Sequence, residues 1–373
     1  MVTSCFPPSP GGIETCVLEL ASRLTQKGHE VTIVTSSRGL PPKTYNNLID
    51  GVGHVIRFPE RFAILEIPIV PQIPSTLLFD FNNQDVFHVH GMTPSQSDLS
   101  LLFLRTRGAK AIYTHHFDPQ TRGGHLTKLY AYFGRPFLKF ANTIVASTPS
   151  YAQTSPFLNS YLGRVRIIPM GVDSDRFDGH FNDSYVLESY PGLMRFERRI
   201  LFVGKLIYYK GPSFLLEAFA KLKTKNVCLI FAGEGPEKKK LVQLANFLHV
   251  SDRVFVMGAV PDTVLPSLYA FSDVLVLPSV TRREAFGIVI LEAMASGKPV
   301  VATAIPGVSD VVEHGKTGYL VPPANSIALA VAIDAILEHP STARLMGETA
   351  RQTARTRYDW KEVFARYLEL YES

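Results

Sequence analysis

An α/β fold of two Rossmann-like domains is what this sequence predicts, and three observations predict it. Short apolar runs closed by turn residues alternate with amphipathic segments, one strand–helix unit every 25–35 residues or so, the rhythm of a doubly wound parallel sheet. The rhythm lapses in a polar, irregular stretch, 176–197, and restarts at Arg199-Ile-Leu-Phe-Val-Gly204. At 373 residues the chain is also too long for one ordinary core. Domains are therefore expected at 1–175 and 198–356, with 176–197 as linker and 357–373 as a C-terminal helix.

Met1-Val-Thr-Ser4 reads as the stub of a first strand. The Pro- and Gly-rich turn to Gly11-Gly12 opens a helix from Ile13 to Lys27, which Gly28 ends. Glu30–Thr35 is the next strand. Strands follow at Val86–His90, Ala109–His116, Ile144–Ser147 and Val165–Ile168, with a helix at Ser97–Arg107. In the second half, strand Arg199–Gly204 leads through Lys205 and Lys210 to a helix at Pro212–Lys221. Strand Val227–Ala232 leads to a helix at Glu237–Leu248, strand Val254–Met257 to a helix near Val264, and helices close the chain from Ser326, Thr342 and Trp360.

Composition sets broad limits. With 46% hydrophobic and 19% charged residues the chain is globular, and a net charge of +5 with no nucleic-acid-binding signature argues against a nucleic-acid partner. Cys5, Cys16 and Cys228 are scattered, which fits a reducing compartment. No basic region followed by an apolar core opens the chain, so no signal peptide is expected. The apolar stretch Ala63–Phe79 is broken by Glu66 and three prolines and is not a spanning helix.

The most informative stretch is Ser279–Pro299. A buried strand, Asp273-Val-Leu-Val-Leu-Pro278, runs into a polar loop, and Gly287 opens an apolar helix reaching Ser296. Glu284 precedes the helix and Glu292 lies within it. Continued as helix, eight residues would set them about 80° apart and about 12 Å along the axis, too far for one small ion but suited to an elongated polyol. Free amides at Phe286-Gly287-Ile288 favour a diphosphate between them. Lys205 and Lys210, in a strand-to-helix turn, can neutralise such a leaving group. The plainer reading makes Glu284 a solvated loop charge, Glu292 an ordinary helix residue and the lysines a basic loop.

The Glu284-Ala-Phe-Gly-Ile…Leu-Glu292-Ala-Met-Ala-Ser-Gly-Lys-Pro block, with Gly315-Lys-Thr-Gly318-Tyr-Leu-Val, resembles the paired-glutamate motif of retaining glycosyltransferase family four, and the likeness runs over nearly the whole chain. The resemblance implies the GT-B arrangement, two Rossmann-like domains facing across a cleft, with the last helix crossing back to the first domain. It implies transfer of a sugar from a UDP- or GDP-linked donor to an acceptor hydroxyl, with retention and without a metal or cofactor. Glu284 would hold the sugar and Glu292 the ribose, and Lys205 stands where the family usually has Arg. The match at Thr114-His115-His116 gives His116 the contact to the sugar. Gly11 and Gly12 would let backbone approach the phosphates. Family members also start with a longer first strand, so Met1 is expected to lie inside the natural one.

His88 and His90 are expected to pack, and Asp173-Ser-Asp175 to be a turn rather than a metal site. Between Leu102 and Ala141 stand seven basic residues and one acid, interleaved with aromatics such as Tyr130, Tyr132 and Phe137. That face suits an anionic membrane presenting a glycan or lipid-linked acceptor, or else is an ordinary amphipathic helix. A cytoplasmic location is expected, at the inner face of the membrane where the basic face takes the first of these two readings. A nucleotide-sugar epimerase of the same fold and a non-catalytic sugar-binding protein are the alternatives; the missing Gly-x-Gly-x-x-Gly disfavours a dehydrogenase.

Overall fold

The computed structural model describes residues 1–9, 11–64, 67–79, 81, 84–91, 96–106, 108–118, 132, 134–179 and 184–373. The chain forms two compact units, Met1–Met170 with Val363–Ser373, and Gly171–Glu362.

In the first unit the strands are β1 (Val2–Thr3), β2 (Thr32–Ser36), β3 (Tyr45–Ile49), β4 (Gly53–Phe58), β5 (Phe62–Ile64), β6 (Ile67–Ile69), β7 (Val86–Gly91), β8 (Lys110–His115), β9 (Thr143–Ala146) and β10 (Val165–Ile167). Eight of them make one sheet in the order β10-β9-β8-β7-β1-β2-β4-β3, parallel except for the β3–β4 hairpin. Winding proceeds outward both ways from β1, whose Val2 lies opposite Val34 and Val89. The central strands are almost continuously apolar because both sheet faces are covered, and Val34, Val89, Ala111, Tyr113 and Ile144 share one core.

Two features depart from expectation here. The β3 segment Tyr45-Asn-Asn-Leu-Ile is an exposed edge strand, too polar to read as one. The Ala63–Phe79 stretch, read in the sequence only as a broken apolar run, contributes to the antiparallel pair β5–β6 and forms the helix Gln72–Phe79, and Val70, Ile73 and Leu77 belong to the core. Of the basic aromatic face, residues 119–131 and 133 lie outside the described residues; Leu138 is buried and Tyr132 exposed.

The second unit holds β11 (Arg198–Val203), β12 (Val227–Ala232), β13 (Val254–Gly258), β14 (Val274–Leu277), β15 (Val300–Thr303) and β16 (Gly318–Val321), all parallel, in the order β13-β12-β11-β14-β15-β16. Strand order reverses between β11 and β14, so the loops leaving those two strands flank the switch point where open parallel sheets take ligands. The stretch 176–197, expected as a linker, is instead part of this unit. Helix Ser174–Phe177 sets Phe177 edge-on to Tyr269, Tyr190 donates to the Met257 carbonyl at 3.0 Å, and Phe196 meets Phe255. Its anchors are isolated aromatics, which leave no periodic signal in a polar segment.

Candidate active site

The loops after β11 and β14 are tied together: the Val280 amide donates to the Tyr209 carbonyl at 2.8 Å. Across this junction the Lys210 ammonium pairs with Glu284 Oε2, the same oxygen that accepts from Ser279 Oγ at 3.2 Å. Both charged side chains are largely buried, at 14% and 10% exposure, so the pair is screened little by water. Burial pulls the Lys210 pKa down most strongly, but Glu284, Tyr209 and Glu292 together outweigh it and the net displacement is upward. Lys210 therefore keeps its charge. Lys205, by contrast, is exposed.

Glu284 and Glu292 do not share a helical axis. The helix spans Ile288–Ala295, and Gly287 ahead of it takes a left-handed φ of 82°, which breaks the register back to Glu284. The angular and axial offsets expected for continuous helix thus do not apply. Gly287 caps the helix without a side-chain hydrogen bond, and of the first-turn amides that of Ile290 donates to the Gly287 carbonyl at 2.8 Å. Phe286 is buried, edge-on to Tyr358. Gly307 lets a neighbouring loop close on this one, since a Cβ there would lie 1.9 Å from the Ala285 carbonyl oxygen.

Glu292 is partly buried, and its Oε2 accepts from the Tyr269 hydroxyl at 2.6 Å. Burial raises the Glu292 pKa, against the lowering effect of the Tyr269 hydrogen bond and of Arg176. Each of the two glutamates is thus anchored through Oε2, and among the described residues neither Oε1 has a protein partner. Tyr269 and Ser279 escaped the sequence reading. An aromatic in an apolar helix and a serine after a strand look like core and turn until the fold sets them against the carboxylates.

In the first unit the carboxyl edge of the sheet carries histidines. His116 follows β8 and lies 3.1 Å, Nε2 to Nδ1, from His90 of β7, the rings stacked at 5.3 Å. Burial pushes the pKa of both down, His116 to about 3 and His90 well below its ordinary value. Both are neutral near pH 7. His88 bonds Tyr371 Oη and Thr114 Oγ1, each at 2.7 Å, and sits in the core. His115 Nε2 meets Asp118 Oδ1 at 2.9 Å, fully buried. Gly11 and Gly12 are exposed at the start of the helix Gly12–Gln26; a Cβ on Gly11 would lie 2.3 Å from Glu14 Oε2, so a carboxylate covers the approach expected for phosphate.

Asp173 caps the helix Ser174–Phe177 by accepting from the Arg176 amide at 3.3 Å, and Asp175 pairs with Lys361 at 3.3 Å. Both carboxylates thus have structural partners.

A two-unit α/β protein whose second unit sets Lys210 and Glu284 at the switch point of a parallel sheet has the layout of a doubly wound ligand-binding fold. Comparison with known proteins makes this specific. Residues 10–176 match the model of Glycosyltransferase Family 4 and residues 195–353 that of Glycosyl transferases group 1. The chain is 31% identical over 355 residues to the D-rhamnosyltransferase WbpZ of Pseudomonas aeruginosa, covering 91% of this chain and 86% of that protein. It is 29% identical over 374 residues to a phosphatidyl-myo-inositol mannosyltransferase of Mycolicibacterium smegmatis, covering 98% and 90%. The fold matches HepE of Anabaena, solved with UDP, at a TM-score of 0.80 with 20% identity, covering 100% and 98% of the two chains. The protein belongs to glycosyltransferase family 4 and has the GT-B class of fold.

Proposed function

We propose that this glycosyltransferase moves a sugar from a UDP- or GDP-linked donor to a hydroxyl of a glycan or lipid-linked glycan, retaining anomeric configuration and using no metal or cofactor. The observation that carries the reading is the pair of glutamates held by one oxygen each beside a helix start without a side-chain cap. Glu284 Oε1 accepts from hydroxyls of the donor sugar and Glu292 Oε1 from the ribose. The amides of Phe286, Gly287 and Ile288 and the Lys210 ammonium take the diphosphate, whose negative charge grows as the glycosidic bond breaks. Lys205 adds a solvent-screened positive charge. His116 hydrogen-bonds the transferred sugar. Gly11 and Gly12 present bare amides to an anionic group once the Glu14 side chain turns aside.

Support for a lipid-linked acceptor comes from the mannosyltransferase relative, named for a phosphatidylinositol substrate, and from the net positive segment 102–141. That segment is proposed to rest on the anionic inner face of the membrane; among the described residues no helix is long and apolar enough to cross one. The test is melting temperature with UDP, GDP and ADP and their common sugars, followed by sugar transfer to lipid-linked and soluble acceptors with and without EDTA. One nucleotide series should raise the melting temperature by mass action. Failure of every nucleotide sugar to do so, or turnover that EDTA abolishes and magnesium or manganese restores, would overturn the reading or its metal clause.

A further inference from the structure

Two neutral imidazoles facing each other at 3.1 Å share one proton between the facing nitrogens. Two arrangements satisfy that. In one, His90 Nδ1–H donates to His116 Nε2, which places the single ring N–H of His116 on Nδ1 and leaves His90 Nε2 a bare lone pair. In the other, His116 Nε2–H donates to His90 Nδ1, and His90 carries an N–H on Nε2.

His90 is 1% exposed, and its Nε2 has no partner among the described residues. A buried N–H donor without an acceptor is the costlier of the two defects, because it forfeits its hydrogen bond to water with nothing in return. The first arrangement wins because the donor it leaves without a described partner is His116 Nδ1–H, on the more exposed ring, and not the sealed His90 Nε2. His116, at 8%, is the more exposed member, and its Nδ1 makes no bond to a described residue. The surrounding rings do not compete for the shared proton: His88 is engaged at both nitrogens by Tyr371 and Thr114, and His115 faces Asp118 through Nε2.

We propose that His90 is a positioning residue that fixes His116 as the Nδ1–H tautomer, so that His116 meets its substrate as a neutral hydrogen-bond donor to a sugar oxygen. This rests on the reading of His116 as a sugar contact. It goes further in assigning the proton, the direction of the hydrogen bond and a role to His90, which the sequence leaves as packing. The donor is neutral and ready before substrate arrives, with no desolvated charge to hold in place.

The test has two readouts. Two-bond proton–nitrogen correlation spectra of histidine-labelled full-length protein distinguish protonated from bare ring nitrogens; His116 should carry its proton on Nδ1 and His90 on Nδ1. His90→Phe keeps the ring volume but removes the proton, and should lower kcat/KM about tenfold, roughly the worth of one neutral hydrogen bond, while His116 shifts toward the Nε2–H form. His90→Asn, whose amide can donate from near the Nδ1 position, should restore most of both. An Nε2–H tautomer of His116 in the parent overturns the assignment, as does a His90→Phe protein with unchanged His116 resonances and unchanged transfer. The parent spectrum needs neither donor nor turnover and needs no variant to fold. A wrong reading of the reaction would therefore appear as absent transfer with the predicted tautomer intact.

Discussion

The carboxyl edges of the two sheets are built from opposite materials. The second uses charge that is paired and half-sunk: Lys210 against Glu284, with Glu292 held by a tyrosine hydroxyl. The first uses imidazoles buried until they are neutral, stacked and bonded to one another and to Tyr371. A diphosphate needs standing positive charge to stabilise it, whereas a sugar hydroxyl needs only an oriented donor or acceptor. The difference teaches that burial serves both ends. It strengthens an ion pair in one unit and removes charge in the other, depending on whether a counter-charge is built in.

The largest expected effect breaks the charged edge. Glu284→Gln and Lys210→Ala should each lower transfer by about 10²–10³, the size of losing one contact that strengthens in the transition state. Because the pair is buried, removing one partner strands the other. Lys210→Ala or Glu284→Ala alone is expected to cost about 3–5 kcal/mol in chemical denaturation, and the double variant less than the sum. Glu284→Gln keeps a polar group for Ser279 and should cost less than Glu284→Ala. Additive losses in the double variant would show that the ion pair is not the coupling.

Next is acid, which should act with opposite signs on the two units. The pKa values of His88, His90 and His116 are depressed by burial, that of His116 to about 3. A group whose folded pKa lies below its unfolded value stabilises above the unfolded pKa, here about 6.5, and loses that stability as pH falls toward the folded one. Each imidazole then costs at most about 1.4 kcal/mol per pH unit below 6.5. Glu292 is raised by burial, so its contribution is present below the ordinary carboxylate pKa and lost as pH rises through the folded value; acid relieves it. Hydrogen exchange at pH 5 against pH 7 should show β7 and β8 deprotected before β11 and β14. Equal loss in both sheets, or earlier loss in the second, would contradict the assignment of the acid-sensitive groups.

Much of this architecture is legible in the sequence. Strand Val227–Ala232 is read to the residue, because a fully buried parallel strand is an uninterrupted apolar run. Glu284, Lys210 and Gly287 stand out because charge and glycine interrupt such runs at strand ends. What the sequence hides are partners chosen by the fold. Tyr269 and Glu292 are 23 positions apart and His90 and His116 are 26 apart, and no local pattern links them. The edge strand β3 is hidden for another reason: its residues face solvent, so apolar alternation has nothing to record.

Tyr269→Phe tests the quieter end of the charged edge. The hydroxyl holds Glu292 Oε2 and counteracts the burial that raises the carboxylate pKa. Without it the carboxylate should rise further in pKa and lose its fixed orientation. A hydrogen bond to a charged group contributes roughly 1.5–3 kcal/mol, so the donor KM is expected to rise about tenfold or more with kcat nearly kept. The pH below which donor binding weakens should also move upward. A fall confined to kcat would place Tyr269 at the reacting centre instead of the ribose end.

The smallest effect should come from Lys205, and it separates two lysines that the sequence treats as a pair. Lys210 is fixed by Glu284 and largely removed from water; Lys205 is exposed, on a long side chain that samples many rotamers. Charge at an exposed site acts through high dielectric and is screened within about 10 Å at 0.1 M salt. Such contacts contribute about 0–1 kcal/mol. Lys205→Ala should therefore lower kcat/KM no more than about fivefold at low ionic strength, and the gap from the parent should close as salt is added. Lys210→Ala should keep its deficit at high salt, because the buried site excludes the screening ions. Lys205→Arg offers a sharper form of the same experiment, since a planar guanidinium can bond a phosphate through two parallel N–H groups where an ammonium acts as a point charge. If Lys205 approaches the diphosphate, the arginine variant should bind donor more tightly than the parent. If instead Lys205→Ala matches Lys210→Ala in size and in salt resistance, the exposed lysine is drawn into a dry site on ligand binding, and the division between buried and screened charge on this edge fails.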